Sequence, residues 1–285
     1  MSRVVYVNGR YRPYRDALVH VEDRGYQFGD GVYEVCEVYG GRLVDERRHM
    51  QRLQRSLSEL RIPLPMPLSA LSAVLHEVVR RNKVADGIVY LQITRGVARR
   101  EHAFPPAGTR PSIVVSARRL DRGQGERLAQ SGISVVTLPE TRWARVDIKS
   151  IVLLPNVLAR QAAREQGARE AWFFDRDGYV TEGAASNAWI ITREGTAVTR
   201  PAGPDILRGI SRDVAQAALA AAHVPFEERP FRVEEAYAAR EAFITAASLL
   251  VMPVVRIDGN IIGDGRPGQI SVAMRQAFHR HAEFS

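Results

Sequence analysis

The chain has 285 residues and a formal net charge of +8, with 45% hydrophobic and 25% charged residues, an ordinary profile for a globular protein with one large or two modest cores. Its single cysteine, Cys36, excludes an internal disulfide and a cysteine-cluster metal site. No run approaches the roughly 18–20 apolar residues of a membrane span, and MSRVVYVNGRYRPYRD carries no apolar signal segment, so no membrane partner and a cytoplasmic location are expected.

Residues 3–8 and 32–39 read as strands, with a Gly-Gly turn at 40–41. Asp45 then stands as the N-cap of an amphipathic helix over 46–61. Met50, Leu53, Leu57 and Leu60 follow at helical spacing, and His49, Arg52 and Ser56 form a second stripe. A second helix opens at Ser69, and strands follow at 87–95 and 111–117. Residues 1–117 are therefore expected to form a small α/β domain. The polar stretch 118–131 breaks the apolar pattern and is expected to link the domains. Strands return at 132–138, 170–175, 187–192, 241–246 and 252–258. Helices are expected at 155–166, 209–222, near 233–239 and near 268–282. Residues 132–285 thus read as a larger domain of mixed strands with helices packed around it, and the fold class is α+β or α/β in two domains.

The charge does not point to nucleic acid. Arginines are spread over the whole length, and pairs such as Arg47-Arg48 and Arg80-Arg81 run on into core sequence. A basic surface instead favours anionic small molecules. Within it the lysines are notable: of 40 basic residues two are lysine, Lys83 and Lys149, so 38 are arginine. A guanidinium stays protonated, whereas a desolvated amine can lose its proton and form a Schiff base. Lys83 closes the polar end of a helix and reads as a solvated charge. Lys149 lies between apolar residues in RWARVDIKSIVLL and reads as a candidate nucleophile.

Three other stretches carry chemistry, each with a plainer reading beside it. Glu182, in YVTEGAASN, precedes small residues that allow close approach; a glutamate in a turn is also simply solvated. Gly209 leads into a helix with Ser211 in its first turn, a setting that suits phosphate, or an ordinary helix start. The loop TRGVARREHAFP presents Arg95, Arg99, Arg100 and His102, either a carboxylate trap or a solvated basic loop. Together they supply an amine, a carboxylate, a helix terminus and a cationic loop, which is the set that pyridoxal phosphate requires.

In order and wording these segments resemble a known family. EDRGYQFGDGVYE, HMQRL, the TRG…REHAFP loop, DIKSIVLLPNVLARQAA, TEGAASN and LRGISRD look like the fold-type IV (class IV) pyridoxal-phosphate aminotransferases, above all their bacterial D-amino-acid branch. The likeness runs from about Tyr6 to the C-terminal helix. It implies a small N-terminal domain and a larger pseudo-barrel domain, with pyridoxal 5′-phosphate bound covalently by Lys149. Lys149 would also carry the proton between the substrate Cα and the cofactor's C4′. Glu182 would pair with the pyridine nitrogen and Arg52 would clamp the phosphate, with His49 beside it. The backbone of Ile210 and Ser211, with the Ser211 hydroxyl, would cup that phosphate, and Leu207 would pack on the ring face. Tyr33 would line the substrate side. Arg100 and His102 would cross to the partner's site of a homodimer and bind the substrate's α-carboxylate. No metal is implied. The implied reaction is ping-pong transfer from a D-amino acid such as D-alanine to 2-oxoglutarate, giving a 2-oxo acid and D-glutamate.

The chain departs from that pattern in two places. Ala246 and Ala247 stand where relatives carry hydroxyls, so Thr245, Ser248 or backbone N–H groups would have to supply those hydrogen bonds. Trp189 stands where Phe or Tyr is usual and is expected to be core packing. The Thr-Ala turn keeps a branched-chain L-amino-acid or (R)-amine transaminase open as an alternative, and an aminodeoxychorismate lyase is a further one on the same fold.

Overall fold

The computed structural model describes residues 3–285 and divides the chain into two compact units. The first takes the chain up to Asp121, together with Ile148–Val152 and Glu283–Ser285. Its frame is a six-stranded, wholly antiparallel sheet. The strands are β1 (Val4–Val7), β2 (Arg10–Pro13), β3 (Gly31–Tyr39), β4 (Arg42–Leu43), β5 (Gly87–Thr94) and β6 (Ser112–Arg119), in the order β2-β1-β6-β5-β3-β4.

Strand β3 follows period two. Val32, Glu34, Cys36 and Val38 point inward and are nearly fully buried. Helix α1 (Arg24–Phe28) precedes it, and α2 (Glu46–Glu59) and α3 (Leu68–Asn82) cover the sheet. In α2 the apolar stripe Met50, Leu53, Leu57 is buried, and His49 and Ser56 are buried with it. Asp45 holds the N-cap position but makes no capping bond. It has a φ of 54°, and its carboxylate accepts from Glu283 N at 3.1 Å and pairs with Arg48 at 3.3 Å. The cap expected from the sequence has been diverted to hold the C-terminal residues.

Strand β4 covers only the far end of β3, at Val38 and Tyr39. The near end is taken by the segment carrying Lys149. Tyr33 N donates to Lys149 O at 3.0 Å, Ile151 N donates to Gly31 O at 3.0 Å, and Ser150 bridges Val32. Gly31 is required here, because a Cβ would lie 2.7 Å from Ile93 O and 3.1 Å from the Ile151 side chain.

The second unit comprises Arg122–Asp147 and Leu153–Ala282. Residues 118–131, expected to be a linker, form the end of β6 and helix α4 (Arg122–Ser131). The strands are β7 (Ile133–Pro139), β8 (Glu170–Phe174), β9 (Val180–Gly183), β10 (Asn187–Ile191), β11 (Ala197–Thr199), β12 (Phe226–Glu228), β13 (Glu241–Ala246), β14 (Leu250–Ile257) and β15 (Asn260–Ile261). They form one mixed sheet, β12-β11-β10-β13-β14-β7-β8-β9, with β15 on β14. The links β11–β12, β14–β7 and β7–β8 are parallel. Val198 near one end of this path and Val180 at the other meet in one apolar cluster with Trp172, Ile190, Ile244 and Val254, so the sheet curls into a half-barrel.

Helix α5 (Leu154–Glu165) packs on β8, α7 (Val233–Tyr237) adds Val233 and Ala236 to the barrel cluster, and α6 (Ile210–Ala221) and α8 (Gln269–His281) close a separate cluster around Trp189 and Phe243. Trp189 is fully buried, stacks on Phe243 at 5.3 Å and donates to Thr245 Oγ1 at 3.1 Å. Among the described residues no helix is long and apolar enough to cross a membrane.

Candidate active site

In the first unit the chemistry gathers along β3 and α2. Ile148 is buried in the core, which fixes the position of the residue after it. The Lys149 backbone N–H donates to Ser56 Oγ at 3.3 Å, and its amine stands 4.3 Å from the centre of the Tyr33 ring. Tyr33 stacks in turn on Tyr90 at 5.7 Å. Burial and the neighbouring Tyr33 push the Tyr90 hydroxyl up to about 12, so it stays a neutral donor to Gln92 Oε1 at 2.7 Å. The amine therefore rests on an aromatic face, its main-chain position set by β3 and α2 independently of its side chain.

Arg52 and His49 both converge on Glu34. Arg52 is bidentate, with Nε to Oε1 and Nη2 to Oε2 at 2.8 Å each, and His49 Nδ1 lies 2.7 Å from Oε2. Burial alone would push the Glu34 carboxyl up. The Arg52 charge, its hydrogen bonds and the His49 bond outweigh burial and hold the group well below the usual carboxylate range. Because its pKa is lower folded than unfolded, the stabilisation is complete above the unfolded value of about 4.3 and is lost as pH falls from there. Glu34→Gln should cost about 3–5 kcal/mol at pH 7, the penalty for leaving Arg52 and His49 with a neutral partner. Its stability should then fall less steeply than the wild type's below about pH 4.5. Denaturant midpoints at pH 7 and pH 3.5 check this, and parallel acid slopes in the two proteins would refute it.

Glu34 escaped the sequence reading, yet its signal was present: it is the one charge in phase with Val32, Cys36 and Val38 on the buried face of β3. Arg100 and His102 lie exposed in the loop between β5 and β6, against the Phe28 ring at 5.2 and 5.4 Å.

In the second unit the centre is Glu182, on β9 and 5% exposed. Arg142 Nη1 donates to its Oε1 at 2.5 Å, and Asn187 Nδ2 and Leu207 N donate to Oε2 at 3.0 and 3.1 Å. Arg142 also grips Glu140, with Nε to Oε1 at 2.9 Å and Nη2 to Oε2 at 2.6 Å. Burial would lower the Arg142 pKa, but the bonds and charges of Glu140 and Glu182 raise it. One guanidinium thus faces two carboxylates.

Asn187 ties this cluster to the loop before α6, since its Nδ2 also donates to Leu207 O at 2.8 Å. Gly209, the N-cap of α6, approaches so closely that a Cβ would sit 2.1 Å from Asn187 Oδ1. Gly209 makes no side-chain cap, and Ile210 and Ser211 open the helix, both buried. Neither Asn187 nor Arg142 was singled out from the sequence. Both lie in quoted stretches, Asn187 closing TEGAASN and Arg142 opening RWARVDIKSIVLL, but Arg142 sits in irregular chain where no periodicity marks an inward side chain.

A family model for class IV amino-transferases matches residues 31–257. The chain belongs to the class IV aminotransferases. This aminotransferase is 38% identical over 279 residues to a D-alanine aminotransferase of Staphylococcus haemolyticus, covering 98% of each chain. It is 39% identical to the D-alanine aminotransferase of Bacillus licheniformis over 273 residues, 96% of this chain and 95% of that one. Among solved structures, a branched-chain amino acid aminotransferase of Escherichia coli superposes with a TM-score of 0.89 at 26% identity, covering 98% of this chain and 94% of that one. Aminotransferases of this class work with pyridoxal 5′-phosphate. The residues present fit that group: an amine on an aromatic face, a buried carboxylate held by an arginine and an asparagine, and a helix start without a side-chain cap.

Proposed function

We propose that this aminotransferase moves the amino group of a D-amino acid, D-alanine being the simplest, to 2-oxoglutarate in a ping-pong cycle that yields a 2-oxo acid and D-glutamate. The observation that carries the reading is the placement of Lys149: one of two lysines in the chain has its amine 4.3 Å from the Tyr33 ring, on a segment bonded to β3. The full-length likeness to D-alanine aminotransferases supports the choice of substrate.

Pyridoxal phosphate, when bound, supplies an aldehyde that holds the amino group and a ring that takes up the electron pair released at Cα. The chain's own residues do the rest. Lys149 would anchor the group through its amine, and once the substrate's amino group had displaced that amine it would be free to carry the proton between the substrate Cα and C4′. Glu182 holds a proton on the pyridine nitrogen, and the Arg142–Glu140 pair and Asn187 hold Glu182 in place. Arg52, steadied by Glu34 with His49 beside it, and the first-turn N–H groups at Ile210 and Ser211, with the Ser211 hydroxyl, bind the phosphate. Leu207 would pack on the ring.

One lysine works on one face of the ring, so Cα–H must point toward Lys149 for either enantiomer. Chirality then decides on which side the carboxylate lies. Tyr33, the Arg100 guanidinium and the His102 ring define the side that selects D-amino acids. In the proposed homodimer this loop serves the partner's site. The exposure of Leu18 (79%), Val21 (72%) and Tyr26 (77%) in the first unit is the kind of apolar surface that an interface covers. A cytoplasmic location belongs to the same reading.

The test is optical. The cofactor-loaded enzyme is given D-alanine or L-leucine without a keto acid, and the cofactor's absorption band is followed. Loss of the band with D-alanine alone is expected. Loss with L-leucine alone would mean that the backbone at Ala246 and Ala247 holds the carboxylate, and the D assignment would fall.

A further inference from the structure

The loop bearing Arg100 and His102 contains no strand or helix between β5 and β6 apart from an isolated bridge, and an inward arginine holds it. Arg24, at the start of α1, is 3% exposed. Its Nε donates to Asp30 Oδ2 at 2.8 Å, its Nη1 to Glu101 O at 2.5 Å and its Nη2 to His102 O at 3.4 Å. Its backbone N–H donates to Gly96 O at 2.9 Å, and Asp23 bridges Val97. The Phe28 ring, four residues on, lies 4.8 Å from the Arg24 guanidinium, 5.2 Å from that of Arg100 and 5.4 Å from the His102 ring.

Asp30 cannot satisfy Arg24 alone, because it also takes Arg95 at 2.7 and 2.9 Å. Burial would push the Asp30 carboxyl up, but these two arginines outweigh burial and hold it below its ordinary value. A buried guanidinium is tolerated only when its donors are answered. For Arg24 the remaining acceptors are the carbonyls of two consecutive loop residues. The planar fork spans them, whereas a lysine amine is a single point of attachment.

We propose that Arg24 is a positioning residue for the substrate's α-carboxylate: it fixes the backbone of Glu101 and His102, and with Phe28 the attitude of the Arg100 and His102 side chains. The inference rests on the reading of Arg100 and His102 as the carboxylate donors. It explains why a buried arginine is bonded to a loop whose Arg100 and His102 side chains are exposed.

The test uses the cofactor-loaded dimer and compares D-alanine with D-alaninamide, an isostere without the negative charge. Arg24→Met should raise the KM for D-alanine by about tenfold or more, change kcat far less and leave D-alaninamide unaffected. Arg24→Lys keeps the charge beside Asp30 and should fall between wild type and Arg24→Met; if the methionine variant does not fold, the lysine variant carries the test. An unchanged KM for D-alanine, or equal losses on both substrates, overturns the proposal. Arg100→Ala is run alongside. If it leaves the D-alanine KM unaltered, the carboxylate reading falls and takes this inference with it. If it raises KM while the Arg24 variants do not, only the role of Arg24 falls.

Discussion

Lys149→Ala should lower transamination by about a thousandfold or more and leave the fold intact. The two halves of that expectation have separate causes. The structural work at position 149 is done by the backbone, whose N–H reaches Ser56 Oγ and whose carbonyl accepts from Tyr33 N. The side chain only lies on the Tyr33 ring, so thermal stability without cofactor should change little. In the proposed mechanism the chemical work is done by the amine. Removing it takes away both the anchor and the proton carrier, and positioned acid–base catalysis alone accounts for about 10²–10⁴ in rate. Lys149→Arg should fare no better, because a guanidinium stays protonated. Lys83→Arg is the control: Lys83 is exposed at the end of α3, and the replacement should run at the wild-type rate. Steady-state rates and melting curves on the four proteins check this. A Lys149→Ala enzyme within tenfold of wild type would remove the basis of the mechanism.

Glu182→Gln should lower kcat by about a hundredfold, the loss seen when one preorganised charge partner is removed from a site. The glutamine can keep the bonds from Asn187 and Leu207, so the loop before α6 should stay in place. What it loses is charge. Arg142 would keep its bonds to Glu140, but the charge proposed to hold a proton on the pyridine nitrogen would be gone. The effect should fall on kcat more than on the KM for D-alanine, because Glu182 makes no contact with the carboxylate in this account. A kcat within threefold of wild type would show that the ring's proton is held elsewhere.

Much of the fold was legible because its elements are regular. The apolar spacing of Met50, Leu53 and Leu57 marks α2, and the alternation in VYEVCEVY marks β3. The short elements were not legible. β4, β11, β12 and β15 have two or three residues each, too few to show a period, and α4 is a polar decapeptide that reads as linker. The site divides in the same way. Lys149 stood out by scarcity, and Glu182 and Ser211 stood out by their neighbours. Glu34, Arg24 and Arg142 are charges turned inward, and their partners are many residues away or in irregular chain. Single-residue chemistry does not mark such groups; only the burial of a strand phase or the count of acceptors around a guanidinium does. Asp45 shows the converse: a residue with the right type and position for a cap, which the tertiary structure uses to hold Glu283 instead.

The most direct measurement is to reduce the cofactor-loaded enzyme with borohydride, digest it and locate the phosphopyridoxyl group by peptide mass spectrometry. The account predicts the group on the peptide containing Lys149 and none on the peptide containing Lys83. A label on Lys83, or an unlabelled Lys149 in enzyme that holds its cofactor, would contradict it.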